Sequence, residues 1–387
     1  MQIEHFRQLF TREGQWALES AMAFEPREKD FLGDFKMLSK RFERELARTA
    51  LSVAILRLEA EKKFPRARQM FFTREALEQA SSWQIASYRA ARYHEHDRVI
   101  DLGCSVGCDT LALAQVVATT GVDIDPLRLV MAQSNSRALG IPADFIQADL
   151  HHLPLPDHAP TGTALFFDPA RRADHQRAFS VQDYSPPLGI IHDWLPQYPA
   201  LGVKISPGVQ LNELEEYDCE VEFISLKGEL KEAVLWFGPF KSAERRATLL
   251  PGPHTLTAEV LPTLPLSEPQ AYIYEPDPAI LRAGLVTAVG AQLDAAQLDP
   301  EIAYLTGEKL MDTPYARAWQ VEEWLPFQLK HLRAALRERN IGRVTVKKRG
   351  SPIVPEELIQ DLRLEGQEER VLFLTQMQGK PIVVIAK

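Results

Sequence analysis

Five short apolar runs between residues 98 and 208 constrain the fold of this chain more than any other feature. Each run is strand-length and ends in a polar or glycine-bearing turn: "RVIDLG", "VATTGVDID", "ADFIQADL", "TALFFDPA" and "ALGVKISPG". Helical stretches such as "CDTLALAQVV" and "LRLVMAQSNSRALG" separate the first of them. This alternation predicts an α/β fold, a parallel sheet with helices on both faces, in which ligands bind at the carboxyl ends of the strands.

The segments on either side of these runs have other patterns. Residues 1–95 are predicted to form a helical domain, because apolar side chains recur every three or four residues from Phe31 to Leu46. Close-spaced strands after residue 219 predict an antiparallel hairpin that closes the sheet. The proline-rich stretch "PGPHTLTAEVLPTLPLSEPQ" predicts a linker, and a helix over 322–339 begins the last unit. The predicted domains are 1–95, 96–262, 270–316 and 317–387.

Composition excludes several classes of protein. The apolar runs are too short to span a membrane, and the charged first residues do not form a signal peptide. Three cysteines fit a reducing cytoplasm, where we expect the protein to act. Cys104 and Cys108 are not followed by a second pair at zinc spacing, so no metal site is predicted. The formal net charge of -9 means that a nucleic-acid partner would need a local basic patch.

The stretch "VIDLGCSVGCDTLALA" predicts a ligand-binding loop. Asp101 ends the first strand, and Gly103, Ser105 and Gly107 lead into a helix. Small residues allow the backbone to approach a ligand closely, and the start of the helix offers free N–H groups. Such a turn occurs in many α/β proteins and does not identify the ligand by itself.

Acids at the following strand ends narrow the choice of ligand. Asp123 lies twenty residues after Gly103, where an acid can accept both ribose hydroxyls, and Asp149 could take an adenine amine. A nicotinamide dehydrogenase would share the first two features, but usually shows a tighter G-x-G-x-x-G. The set as a whole resembles the class I methyltransferases that bind S-adenosylmethionine, on the residues Asp101, Gly103, Gly107, Asp123, Asp149 and Asp168.

A narrower resemblance covers nearly all of the chain after residue 65. Segments such as "FFTREALEQAS", "GVDIDPLRL", "DPARR", "YIYEPDPAILRAGL", "LPFQLKHLRAALR" and "VTVKKRG" resemble a bacterial family of class I methyltransferases. The resemblance implies a Rossmann-like sheet, a ferredoxin-like segment and a C-terminal α+β THUMP-like domain. THUMP domains elsewhere recognise structured RNA, so it also implies RNA as the carrier of the substrate.

A more distant resemblance is to the cap trimethylguanosine synthases, which methylate a guanine exocyclic amine. It implies that Phe72 and Thr73 help to form the cofactor pocket. Those enzymes have Ser-Pro-Pro-Trp where this chain has "DPAR", residues 168–171. No aromatic residue is available there to stack a guanine, so cap methylation itself is not expected.

The stretch "ALFFDPARR" carries the candidate catalytic residues. Asp168 could accept the N–H groups of the methyl acceptor, and Pro169 would fix the turn. Arg171 or Arg172 could hold a phosphate, or else pair with Asp168 to lock the loop. Covalent pyrimidine chemistry is not expected, because the cysteines lie in the cofactor loop or beyond the fifth strand.

Residues 317–350 carry nine Lys or Arg against three acids, which makes them a candidate phosphate-binding surface. The predicted RNA-binding residues are Arg333, Arg337, Lys347, Lys348 and Arg349. A solvent-exposed helix face would explain the presence of Arg333 and Arg337 equally well. The resulting hypothesis is a methyltransferase that modifies a base nitrogen, with a guanine exocyclic amine as one candidate, in structured RNA such as tRNA or rRNA. The alternatives are a methyltransferase for a small molecule or protein, and a protein that binds S-adenosylmethionine without turnover.

Overall fold

The computed structural model describes residues 1–153, 159–171 and 180–387, without the side chain of Arg171. The chain divides into two compact units. Unit one contains residues 1–221 and 231–242, and unit two contains residues 222–230 and 243–387.

Unit one begins with six helices, which confirms the helical prediction for residues 1–95: α1 (Ile3–Gln8), α2 (Arg12–Met22), α3 (Phe31–Leu38), α4 (Arg44–Ala60), α5 (Arg74–Gln79) and α6 (Trp83–Ala90). Side-chain oxygens cap several of their amino ends, as Thr11 does for α2 and Thr73 for α5. The helices do not have a separate core. Phe6, Leu46 and Leu77 pack in one cluster with Leu111 and Met131, which lie among the residues of the sheet region.

The rest of unit one is built on a sheet. Its elements are β1 (Arg98–Leu102), α7 (Cys108–Leu113), β2 (Ala118–Asp123), α8 (Pro126–Leu139), β3 (Asp144–Gln147), β4 (Thr163–Phe167), β5 (Ala170–Arg171), β6 (Tyr184–Ser185), α9 (Ile191–Trp194), β7 (Leu201–Ile205), β8 (Cys219–Leu226) and β9 (Glu229–Phe237). The strand order is β8-β9-β7-β4-β1-β2-β3. Strands β7, β4, β1, β2 and β3 are parallel, and β9 runs antiparallel to β7. The predicted parallel sheet with an antiparallel closing hairpin is therefore confirmed.

Unit two begins where β8 crosses residue 222. Its further elements are β10 (Arg245–Leu250), β11 (His254–Thr257), β12 (Tyr272–Pro276), α10 (Pro278–Ala283), α11 (Val286–Gln292), β13 (Ala296–Asp299), β14 (Ile302–Gly307), β15 (Ala316–Pro326), α12 (Leu329–Glu338), β16 (Ile341–Lys348), α13 (Pro355–Leu362), β17 (Glu368–Met377) and β18 (Lys380–Ala386). A seven-stranded sheet has the order β13-β14-β12-β15-β18-β17-β16. Helices α12 and α13 cover one of its faces through a core that includes Leu332, Leu358 and Leu372.

Two boundaries differ from the sequence predictions. The compact units divide between residues 221 and 243, before the proline-rich stretch, because β10 and β11 pair within unit two. The helix predicted over 322–339 begins only at Leu329. Residues 316–326 form β15 instead, which pairs with both β12 and β18.

Candidate functional site

A cavity of about 330 Å³ lies in unit one at the carboxyl ends of the parallel strands. Acids and loop residues predicted from the sequence line it: Asp101, Gly103, Ser105, Asp123, Asp149, Asp168 and Pro169. They meet because β1, β2 and β4 are parallel neighbours, and their last residues therefore share one edge of the sheet.

The loop between β1 and α7 is held tightly against this edge. Gly103 has φ +83°, and a β-carbon there would lie 2.7 Å from the carbonyl oxygen of Asp168. The Ser105 N–H donates to Asp123 Oδ2 at 2.8 Å, and the Asp125 N–H donates to Asp123 Oδ1 at 2.9 Å. Gly107, with φ +82°, precedes the first residue of α7 and does not line the cavity. A β-carbon there would contact Ala132 of α8.

Asp101 is fully buried and only half satisfied. Thr110 Oγ1 donates to its Oδ2 at 2.5 Å, while Oδ1 has no hydrogen-bond partner among the residues that the structure describes. Burial raises the pKa of Asp101, and the nearby Asp109 carboxylate adds to this effect. An ammonium group in the cavity would satisfy the unpaired oxygen.

Asp149 occupies the outer part of the cavity. Its Oδ1 accepts the His151 N–H at 3.0 Å, and this hydrogen bond lowers the pKa of the carboxyl. Asp101 can bind an ammonium group, Asp123 can accept hydrogen bonds from hydroxyls, and Asp149 is a partly exposed acid. These three side chains match the amino, ribose and adenine groups of S-adenosylmethionine. The residues present therefore fit that cofactor.

Phe72 and Thr73 do not line the cavity, which corrects the expectation drawn from the distant resemblance. Phe72 is buried against Phe64, and Thr73 Oγ1 accepts the Ala76 N–H and caps α5. It is α5 that reaches the cavity, through Ala76 and Gln79. Thr73 therefore affects the cavity through the helix that it caps.

Asp168 follows β4, and in the described part of the chain its carboxylate is hydrogen-bonded through Oδ2 alone. Lys204 Nζ, on β7, donates to Asp168 Oδ2 at 2.6 Å and to the Gln79 carbonyl oxygen at 3.3 Å. The Lys204 side chain is 7% exposed and that of Asp168 28%. Burial raises the pKa of Asp168 against the opposing attraction of the Lys204 ammonium. The side chain of Arg171 and all of Arg172 lie outside the described residues, so their roles stay predictions.

A second ion pair behind the cavity was missed from the sequence. Arg89, on α6, is 2% exposed and contacts Asp109 Oδ1 at 2.5 Å and Glu232 Oε1 at 3.0 Å. Ser81 Oγ donates to the other Glu232 oxygen at 2.6 Å.

The sequence held one signal for Lys204, because a lysine inside the apolar run "ALGVKISPG" must find a buried partner. No comparable pattern marks Arg89.

The predicted RNA-binding residues do not form one surface of unit two. Lys347 Nζ lies 2.5 Å from Glu275 Oε2, and Arg349 lies 3.6 Å from the other oxygen of the same acid. Lys348 alternates to the opposite face of β16, where it is exposed and donates to the Ile353 carbonyl. This corrects the expectation that residues 347–349 act as one cluster.

The two arginines predicted on α12 have different surroundings. Arg333 donates to the carbonyl oxygen of Asp361 at 2.7 Å, so one of its nitrogens is engaged within the unit. Arg337 is exposed.

In the described ranges, no helix is long and apolar enough to cross a bilayer. The same ranges contain no group of three His, Cys, Asp or Glu residues arranged to hold a metal ion.

Comparisons with known proteins agree with this geometry. A methyltransferase domain family matches residues 99–179, and a THUMP domain-like family matches residues 316–387. Uncharacterized S-adenosylmethionine-dependent methyltransferases from two strains of Mycobacterium tuberculosis are 36% identical over 315 residues, which is 80% of this chain and 85% of theirs. A crystal structure of a candidate methyltransferase from Porphyromonas gingivalis superposes with a TM-score of 0.76 at 22% identity, over 94% of this chain and 99% of that one.

Proposed function

Because the chain belongs to the S-adenosylmethionine-dependent methyltransferases, we propose that it methylates a base nitrogen of structured RNA, such as tRNA or rRNA. The observation that carries the proposal is that the Asp168 carboxylate is hydrogen-bonded through one of its two oxygens. Its Oδ2 is bound by Lys204, and Oδ1 has no donor within the described part of the chain, at the edge where the cofactor fits. A free carboxylate oxygen can accept an N–H of the methyl acceptor and aim the nitrogen.

The chain's residues would act mainly by positioning. Asp101 and Asp123 would hold the amino and ribose ends of S-adenosylmethionine, and Asp149 its adenine. The bound cofactor supplies a methyl group that its sulfonium already activates. Correct placement of the acceptor can then lower the barrier by roughly 7–11 kcal/mol. Pro169 and Ala170 also line the cavity and would guide the acceptor toward Asp168.

RNA as the carrier of the base is supported by the THUMP-like match over residues 316–387. The cations of residues 317–350 best placed to contact phosphate are the exposed ones: Arg317, Lys330, Arg337, Arg343 and Lys348. Lys347 and Arg349 are engaged by Glu275 and would contribute less to binding.

The proposal is tested with purified protein, labelled S-adenosylmethionine and total RNA from cells that lack the gene. We expect label in one RNA class, and little in RNA from wild-type cells, where the site is already methylated. Asp168→Asn should remove most of this activity, whereas Asp193→Asn, a matched change at an exposed acid, should not. Label that enters protein or small molecules, but not RNA, would refute the proposal.

A further inference from the structure

We propose that Asp168 and Lys204 together select a lactam edge, a ring N–H beside a carbonyl, as the methyl acceptor. Such an edge occurs at N1 and O6 of guanine and at N3 and O4 of uracil. This inference rests on the proposed function and narrows it from any base nitrogen to one chemical class.

The geometry supplies one hydrogen-bond acceptor and one donor side by side. An ammonium group has three N–H bonds. Lys204 uses one for Asp168 Oδ2 and one for the Gln79 carbonyl, and no described residue accepts the third. Both side chains line the cavity, and no described residue donates to Asp168 Oδ1. A base that presents a donor next to an acceptor would satisfy both groups.

Charge distinguishes a lactam from an exocyclic amine, which can also present a donor next to an acceptor. When a lactam loses its N–H proton, negative charge develops on the carbonyl oxygen, where the Lys204 ammonium would stabilise it. An amine instead gains positive charge as its nitrogen bonds to the methyl carbon. The buried ammonium would oppose that change at short range.

The transfer balances with the groups already named. The ring N–H bond breaks and its proton moves to Asp168 Oδ1, while the electron pair spreads over nitrogen and oxygen. The nitrogen forms its bond to the methyl carbon as the carbon–sulfur bond breaks, and sulfur keeps that pair. The positive charge of the sulfonium and the negative charge of the lactam cancel, and Asp168 later returns the proton to water.

The surrounding carboxylates favour the protonated form of Lys204, which this role requires. Burial alone would lower the pKa of Lys204, but the carboxylates of Asp168, Asp109 and Glu232 outweigh it and raise that pKa. The titratable and charged groups that face Asp168 include Lys204 from β7, Asp109 from α7, Arg89 from α6 and Asp101 from β1. When Asp168 accepts a proton its attraction is lost, and the Asp109 and Glu232 carboxylates remain to favour the Lys204 ammonium.

The first test identifies the methylated atom. RNA from cells that lack the gene is methylated in vitro with a deuterated methyl donor, digested to nucleosides and analysed by mass spectrometry. We expect the label in 1-methylguanosine or 3-methyluridine. Label on an exocyclic amine or a ribose oxygen would overturn this inference and leave RNA methylation intact. Absence of label from RNA would instead overturn the proposed function, and this inference with it.

The second test asks whether Lys204 acts on the acceptor or on the cofactor. We expect Lys204→Met to lower kcat by about 10²-fold or more, and Lys204→Arg to recover part of the loss. The exposed control Lys36→Met should match wild type. Binding of S-adenosylhomocysteine, measured by calorimetry, should be unchanged in Lys204→Met. A large loss of that binding would show that Lys204 holds the cofactor and would overturn the inference.

A pH profile separates this role from a merely structural one. Lys204→Met removes the cation that opposes the upward shift of the Asp168 pKa. Because Asp168 must be deprotonated to accept the lactam proton, the acid limb of kcat/KM should move to higher pH. A lower rate with an unmoved acid limb would mean that Lys204 only supports the fold.

Discussion

Replacing Arg89 with Met should destabilise unit one by about 4 kcal/mol, because breaking a buried ion pair typically costs about 3–5 kcal/mol. The Arg89 side chain is 2% exposed and lies between two carboxylates that are themselves nearly buried, Asp109 at 11% and Glu232 at 3%. Methionine keeps much of the apolar contact with Phe166, over whose ring the guanidinium lies at 4.8 Å. The cost therefore comes from leaving both carboxylates without their cation.

The stability that Arg89→Met loses should depend on pH. Burial already raises the pKa of Glu232, and Arg89 opposes this shift. Without Arg89 the folded-state pKa rises further above the unfolded value, so the folded variant binds a proton more readily than the unfolded chain does. The variant should therefore gain stability as pH falls through that folded-state pKa toward about 4.3, the unfolded value of Glu. Adding Glu232→Gln should restore part of the loss at neutral pH.

The measurement is urea denaturation of the full chain across this pH range, with Arg137→Met as an exposed control. A loss below about 1 kcal/mol, within the range of an exposed ion pair, would refute the account of a buried network. So would a difference between variant and wild type that does not shrink toward acid pH.

Three further predictions concern other parts of the chain. Gly103→Ala should weaken S-adenosylhomocysteine binding in calorimetry, because its β-carbon would lie 2.7 Å from a backbone oxygen; unchanged affinity would mean that the loop can shift freely. Lys63 donates to three carbonyl oxygens near the end of α5 at 2.7–3.0 Å, so Lys63→Met should cost about 2 kcal/mol in urea denaturation, while the exposed Lys62→Met should cost almost nothing. The double variant Lys348→Glu, Arg337→Glu should weaken RNA binding and flatten its dependence on salt in filter-binding titrations; an unchanged salt slope would place the RNA elsewhere.

The strand ends could be predicted because their signal is local. Each apolar run stops at an acid or a glycine, and parallel pairing then brings Asp101, Asp123 and Asp168 to one edge without further information. Arg89 could not be found in this way. Its partners lie 20 and 143 positions along the chain, at Asp109 and Glu232, and only the packing of α6 brings them together.

Two expectations drawn from the sequence differ from the structure, each for its own reason. Phe72 and Thr73 were placed by resemblance, and a sequence motif does not show whether a residue touches a ligand or positions the helix that does. The residues Lys347, Lys348 and Arg349 were grouped by proximity, although alternation along a strand sends neighbours to opposite faces. That rule was available from the sequence, but the partner Glu275, 72 residues before Lys347, was not.

The path of the chain between the two units affects how this protein can be dissected. The backbone passes from one unit to the other after residues 221, 230 and 242. A protease cut at peptide bond 242–243 would leave residues 222–230 of unit two on the amino-terminal fragment, inside the β8–β9 hairpin. The amino-terminal fragment would carry all of unit one with this piece of unit two attached, and the carboxyl-terminal fragment would be an incomplete unit two. A gene split at that point would therefore not yield two independent proteins, and mutations in the two units are best compared within the intact chain.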